Sequence, residues 1–277
     1  WIQNWGTLNF YAMPLFRERT FTGRHGRLRA PIPITGGEAA YESGAEEWHP
    51  DFAVRYSHYF GNLDVGLSHF SGTSREPRFL VEAYGITVTP ESQWINLTGT
   101  RINSPIIKLL SKIPNARLIP YYDQIEQTSL DLQYILGGWT LKLEAIHRSG
   151  QNRTYTAATG GVEYTFFSVF KSALDVTTIL EYMWDSRGTK TLNPMQNDIF
   201  AGARISFNDV QSTSITAGAI VDAGTGATAL GLEAARRLGE DWKISIDARL
   251  FTNIPADDIF TTVRKDDYVQ TELTWYF

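Results

Sequence analysis

Apolar and polar side chains alternate with a period of two along much of the chain. In the last ten residues Val269, Thr271, Leu273, Trp275 and Phe277 fall on one face, and Tyr268, Gln270, Glu272, Thr274 and Tyr276 on the other. The preceding segment sets Trp242, Ile244, Ile246, Ala248 and Leu250 against Lys243, Ser245, Asp247 and Arg249. Leu174, Val176, Thr178, Leu180, Tyr182 and Trp184 oppose Asp175, Glu181 and Asp185, and Ile199, Ala201, Ala203, Ile205 and Phe207 oppose Gly202, Arg204 and Ser206. Successive Cβ atoms of a strand point to opposite sides, so the pattern predicts strands with one greasy and one wet face.

Tight turns at Gly61-Asn62, Gly137-Gly138, Lys171-Ser172, Asn208-Asp209 and Gly239-Glu240-Asp241 each join two such strands. Longer connections lie between them, above all at residues 17–50 and 71–127. A water-soluble sandwich shows the same alternation, so turns and aromatics have to decide. Short turns at one end and long loops at the other are how outer-membrane barrels are built. Trp5, Trp139 and Trp242 stand just after turns, where an indole would sit at the headgroup boundary.

About twelve strands are predicted, at 5–13, 51–60, 63–70, 128–136, 139–149, 158–167, 173–184, 198–207, 212–222, 227–238, 242–251 and 268–277. The expected fold is all-β, a single transmembrane antiparallel up-and-down β-barrel spanning 1–277, with 17–50 and 71–127 as long extracellular loops. An even count lets the last strand pair with the first, so that no backbone edge meets lipid. Trp1 is an unusual first residue for an exported product, and Trp1 and Ile2 read as the tail of a further strand. Fourteen strands are therefore the alternative if N-terminal strands are missing.

Composition narrows the classes. The chain of 277 residues is 43% apolar and 20% charged, and it lacks the run of about 20 apolar residues that a transmembrane helix needs. It contains no cysteine, which removes disulfides and thiolate metal sites. A net charge of -5 argues against a nucleic-acid partner. There is no phosphate-binding glycine loop, and His25, His49, His58, His69 and His147 lack metal-ligand spacing, so no cofactor and no metal are expected.

The closing residues Trp275, Tyr276 and Phe277 resemble the C-terminal insertion signal that the barrel-assembly machinery reads in outer-membrane proteins. Residues 16–21, 119–124 and 208–213 are similar to those of a group of proteobacterial outer-membrane barrel proteins. This resemblance implies the fold, a location in the cell outer membrane and contact with its lipid and lipopolysaccharide. It implies no particular activity.

With the apolar parity turned to lipid, the expected lumen lining is Arg55, Asp64, Asp131, Lys142, Glu144, Arg148, Glu163, Asp175, Glu181, Arg204, Glu233, Arg237, Lys243, Asp247, Arg249 and Glu272, together with Asp185 and Asp222. Acid exceeds base in that set. It fits a water-filled path that favours small cations or zwitterions, and equally a set of cross-barrel ion pairs that fill the interior.

The first long loop carries Arg17, Arg19, Arg24, Arg27 and Arg29, followed by Glu38, Glu42, Glu46 and Glu47. Folded inward, these charges would form a constriction; turned outward, the arginines would hold lipopolysaccharide phosphates; a solvated loop that pairs with itself is the third reading. The second connection is far longer than an ordinary loop. Within it residues 78–88 read as strand-like and 105–113 as a short amphipathic helix, placed as plug, cap or leaflet contact, or packed on its own loop.

One catalytic alternative is visible. His147 and Ser149 share the lipid parity, and the register set by Gly137-Gly138 places Glu126 opposite Ser149 and Thr128 opposite His147. A serine, a histidine base and an orienting carboxylate there resemble the dyads of outer-membrane phospholipase A and lipid A deacylase. The rest of the chain departs from both enzymes, and polar residues are ordinary at a headgroup boundary. Three functions are thus expected in turn: a porin-like channel for small hydrophilic solutes, an interfacial lipid hydrolase, and a partner-binding barrel with an occluded lumen.

Overall fold

Twelve long strands follow one another as hairpins, joined by tight turns at one end and by longer connections at the other. A computed structural model describes residues 1–23, 25, 26, 30, 32–83, 86, 87, 111–151, 153–188, 193–256, 258, 261 and 263–277. The strands are β1 (Ile2–Gln3), β2 (Gly6–Met13), β3 (Ala40–Tyr41), β4 (Asp51–Phe60), β5 (Leu63–Thr73), β6 (Arg78–Ala83), β7 (Ile86–Thr87), β8 (Arg117–Tyr122) and β9 (Gln124–Leu136). They continue as β10 (Trp139–Gly150), β11 (Tyr155–Phe166), β12 (Asp175–Asp185), β13 (Asn197–Ser206), β14 (Ser214–Asp222), β15 (Thr228–Leu238), β16 (Trp242–Thr252) and β17 (Tyr268–Trp275).

Thirteen of these form one sheet in the order β1-β2-β4-β5-β9-β10-β11-β12-β13-β14-β15-β16-β17, and every ladder within it is antiparallel. Each strand predicted from the alternation is present, most of them within a few residues of the expected bounds; β5 and β9 extend further into the second connection. Gly61, Gly137 and Gly239 hold φ of +64°, +60° and +70° in their turns, a left-handed backbone that glycine adopts at no steric cost.

The sheet's edges differ from the expectation of closure. Among the described residues no ladder joins β17 to the first strands. Instead Trp1 and Leu8 exchange two backbone hydrogen bonds of 2.8 Å each, so residues 1–3 occupy the turn end of the β2 edge, where a closing strand would pair.

Register keeps the two faces separate across the whole sheet. Arg55, Ser68, Ser129, Ile146, Ala157 and Asp185 stand side by side on one face, as do Arg204, Thr216, Glu233, Asp247 and Gln270. The other face carries rows such as Leu67, Leu130, Ala145, Ala158 and Trp184, and Leu180, Ala201, Ala219, Leu230 and Leu250. A slip of one residue would exchange the faces, so the pattern fixes the register. The apolar face does not form a core: Leu180 is 51% exposed, Leu250 53% and Leu273 57%.

Buried apolar side chains gather elsewhere. The strands β3, β8, β6 and β7 form a second, four-stranded sheet around Ile32, Val81, Ala116 and Leu118. Its β3 comes from the first long connection and the other three strands from the second, so the two predicted loops fold as one cap. Arg78 pairs with Asp123, both nearly inaccessible, with Nε 2.6 Å from Oδ2. Asp51 at the end of β4 accepts the Thr73 N–H at 2.7 Å and pairs with Arg75. Phe16 and Tyr41 pack on the buried Tyr122 ring at 4.6 and 5.5 Å. The expected strand at 78–88 is present as β6 and β7, while residues 105–110 of the expected helix lie outside the described residues and Ser111 and Lys112 form a turn.

Candidate functional site

At the loop end of the polar face, aspartates terminate the strands. Asp185 accepts the Arg187 N–H at 2.9 Å, Asp198 the Gln196 and Asn197 N–H groups at 2.8 and 3.0 Å, and Asp222 those of Gly224 and Thr225 at 2.7 and 2.8 Å. A short acidic side chain that takes backbone donors fixes the exit of a loop. Asp185 and Asp222, expected among the lumen charges, are 2% and 8% exposed and serve as these caps.

The charged residues expected to line a lumen all share the polar face. Some are paired. Arg55 holds Asp131 through two bonds of 2.6 and 2.7 Å, Lys142 meets Glu163, and Arg249 reaches Glu233 at 2.5 Å and Asp247 at 2.9 Å. Gly66 lies between the first two: a Cβ there would collide with both the Arg55 guanidinium and the Asp131 carboxylate. Asp175 accepts the Ser168 N–H at 2.9 Å and the Asn208 amide at 2.8 Å, Glu272 accepts the Thr274 hydroxyl at 2.9 Å, and Arg237 lies 5.9 Å from the Tyr276 ring. Asp64, Glu144, Glu181, Arg204 and Lys243 make no ion pair or side-chain hydrogen bond with a described residue. The face is therefore a mixture of closed pairs and open charges, not a fully neutralised filling.

Several cavities open on this face among the described residues. One of about 740 Å³ is lined by Arg55, Asp131, Glu144 and Ile146, with Asn193 and Met195 from the β12–β13 connection. A second, of about 580 Å³, shares Ile146, Ala157 and Asn193 with it and reaches the cap residues Glu76, Pro77, Arg78 and Phe79. A third, of about 290 Å³, lies between Thr216, Glu233, Lys243, Asp247 and Glu272.

The second cavity is the most elaborated. Arg148 donates from Nε to Gln127 at 2.7 Å and from Nη1 to Glu76 at 3.1 Å; Arg187 grips Asp185 through Nε and Nη2. Both guanidinium groups stand over the Tyr155 ring, at 5.5 and 3.6 Å from its centre. Arg19 of the first connection lines the same space, which brings one loop arginine to the sheet. Arg17 makes no such contact, and Arg24, Arg27 and Arg29 lie outside the described residues. Of these groups, Glu76, Tyr155 and Arg187 were not anticipated. The available signal was Asp185-Ser186-Arg187 directly after a strand, an acid and a base two residues apart at a strand exit.

On the apolar face, the hairpin register places Ser149 opposite Glu126 and His147 opposite Thr128 as expected. The side chains choose other partners. Glu126 takes the Ser71 hydroxyl at 2.7 Å and lies 3.0 Å from His69 Nε2, while His69 Nδ1 lies 3.0 Å from Thr128 Oγ1 and His147 Nδ1 2.9 Å from Thr156 Oγ1. β9 lies between β5 and β10, which present His69-Phe70-Ser71 and His147-Arg148-Ser149 at matching heights, and β5 offers both donors that the carboxylate oxygens accept. The orienting role expected for Glu126 toward His147 is thus not formed. Ser149 makes no bond to a described histidine, and that contact is what serine nucleophiles require.

Aromatics mark the turn end of the apolar face. Trp5 stacks on Tyr56 at 6.1 Å and Trp242 on Trp275 at 5.9 Å, and Trp139 meets the tilted Tyr164 ring at 4.5 Å. Trp275 ends β17 and also meets Phe277 at 5.2 Å, while the Tyr276 N–H donates to the Asp241 carbonyl at 2.7 Å. No helix of the described residues is long and apolar enough to cross a membrane, and no group of three or more potential ligands forms a metal centre among them. No family's sequence profile and no curated protein matches the chain, so its likeness to membrane barrels rests on the strand pattern, the aromatic placement and the C-terminal residues.

Proposed function

We propose that the chain is a Gram-negative outer-membrane β-barrel, porin-like, through which small hydrophilic solutes pass along the charged face, with the cap on the outer side. The observation that carries this reading is the segregation of the two sheet faces, with the apolar one left exposed. A dozen leucine-sized side chains kept in water forfeit roughly 20 kcal/mol or more of transfer free energy. That exceeds the net stability of an ordinary domain, about 5–15 kcal/mol. Hydrocarbon removes the penalty. The long strands, from 8 to 13 residues, suit a tilted crossing of a core about 30 Å thick, and the tryptophans paired with other aromatics at the turn end suit its boundary. Closure of the sheet, the outer-membrane location, contact with lipopolysaccharide and recognition of Trp275, Tyr276 and Phe277 by the assembly machinery are parts of the same proposal.

Planar bilayers test it. The reconstituted protein is expected to give discrete conductance steps and to render liposomes permeable to small sugars. Silent bilayers together with sugar-tight liposomes would overturn the channel.

A further inference from the structure

We propose that the cavity of about 580 Å³ between the cap and the sheet binds a small organic acid, its carboxylate held by Arg148 and Arg187 and its apolar body by the cap. The inference rests on the channel reading for its physiological meaning, since it names the solute class that such a channel would admit.

Three observations converge on this class. The first is unused donor capacity. The Arg148 and Arg187 side chains are only 13% and 16% exposed, yet no described residue takes Nη2 of Arg148 or Nη1 of Arg187. Guanidinium N–H groups held in a recess and left without protein acceptors are where a carboxylate binds most strongly. The second is preorganisation. Gln127, Glu76 and Asp185 hold the two guanidinium planes, the two carboxylates lining the same cavity, and the buried Tyr155 ring supports both. Little side-chain freedom remains to be lost on binding. The third is the composition of the rest of the lining: Phe21, Pro77, Phe79 and Pro194 bring apolar surface to the same space. An inorganic anion leaves that surface wet, whereas an aromatic or branched aliphatic acid covers it. The size falls within the range of small-molecule sites. Arg19 adds a guanidinium with no partner among described side chains on the cap side. The larger cavity next to it has Arg55 against Asp131 and Glu144, an excess of acid, whereas this one sets Arg19, Arg78, Arg148 and Arg187 against Glu76 and Asp185, an excess of base.

Benzoate is the probe, measured by calorimetry on the detergent-solubilised full chain against benzyl alcohol, which lacks the charge, and inorganic phosphate, which lacks the ring. Saturable benzoate binding is expected, with both controls weaker by about ten-fold or more. Arg148→Gln and Arg187→Gln are each expected to weaken benzoate by about the same factor. Arg148→Lys and Arg187→Lys keep the charge and lose the fork; with their fold confirmed by heat-modifiable gel mobility, they are expected to bind benzoate several-fold more weakly than the parent. Equal affinity for phosphate, or affinity unchanged in the folded variants, overturns the site. The channel is read separately. Benzoate binding with silent bilayers leaves the site and removes the channel, and conductance steps without benzoate binding do the reverse.

Discussion

Removing Arg78 isolates what holds the cap down. Its side chain is 10% exposed and that of its partner Asp123 only 3%, and Nε donates to Oδ2 at 2.6 Å while the guanidinium stands 5.1 Å from the Tyr121 ring. Arg78→Met keeps the volume of the alkyl stem and leaves the Asp123 carboxylate with no guanidinium in a nearly dry site. Breaking one side of a buried pair costs about 3–5 kcal/mol, because the remaining charge stays uncompensated. The long strands do not depend on this pair, so the cost falls on the local equilibrium that lifts β6 and β8 away. An opening penalty smaller by that amount raises the open population roughly a hundred- to several-thousand-fold. Hydrogen exchange on the micelle-bound protein reads this directly: amides of Leu80, Val81, Leu118 and Ile119 are expected to lose protection, while those of β13 to β16 are unchanged. Arg78→Met combined with Asp123→Leu removes both charges and is expected to recover most of the lost protection. Unchanged exchange in the single variant, or equal loss in cap and sheet, would refute the cap as a unit anchored by this pair.

Two further outcomes follow. Leu143→Arg, at the centre of β10 on the apolar face, is expected to cost about 2–4 kcal/mol in lipid vesicles, whereas Glu144→Arg on the next residue costs far less. Urea unfolding in vesicles checks the contrast, and equal effects would remove the lipid-facing assignment. Asp209, in the β13–β14 turn, accepts the Thr213 N–H and hydroxyl at 2.7 Å each and has Arg236 at 3.2 Å, and the first of these contacts most strongly holds its carboxyl below the usual aspartate range. A lowered folded pKa gives stability that is present above the unfolded value of about 3.9 and lost as pH falls through the folded one. The difference in melting temperature between the parent and Asp209→Ala is thus expected to be constant from neutral pH down to about 5 and to shrink in stronger acid.

The alternation of residues determined where the strands run, which face each side chain takes, and how the tight hairpins register. These are local properties: a period of two needs only neighbours, and a turn of two glycines fixes every pair behind it, as at Gly137-Gly138 for Ser149 and Glu126. The tertiary structure decided what happens between strands far apart in sequence. Nothing local tells residue 40 that it will lie beside residue 121, yet Ala40 pairs with Tyr121, and that pairing turns two loops into one cap. Partner choice was likewise not legible. Glu126 had His-x-Ser segments on both flanks and joined the one whose two donors reached it, and Asp185 turned from a lumen charge into a loop cap because a free N–H lay within 3 Å. Hydrogen bonds are settled over distances of an ångström, so a face can be read from the sequence, while the contacts upon it required the fold.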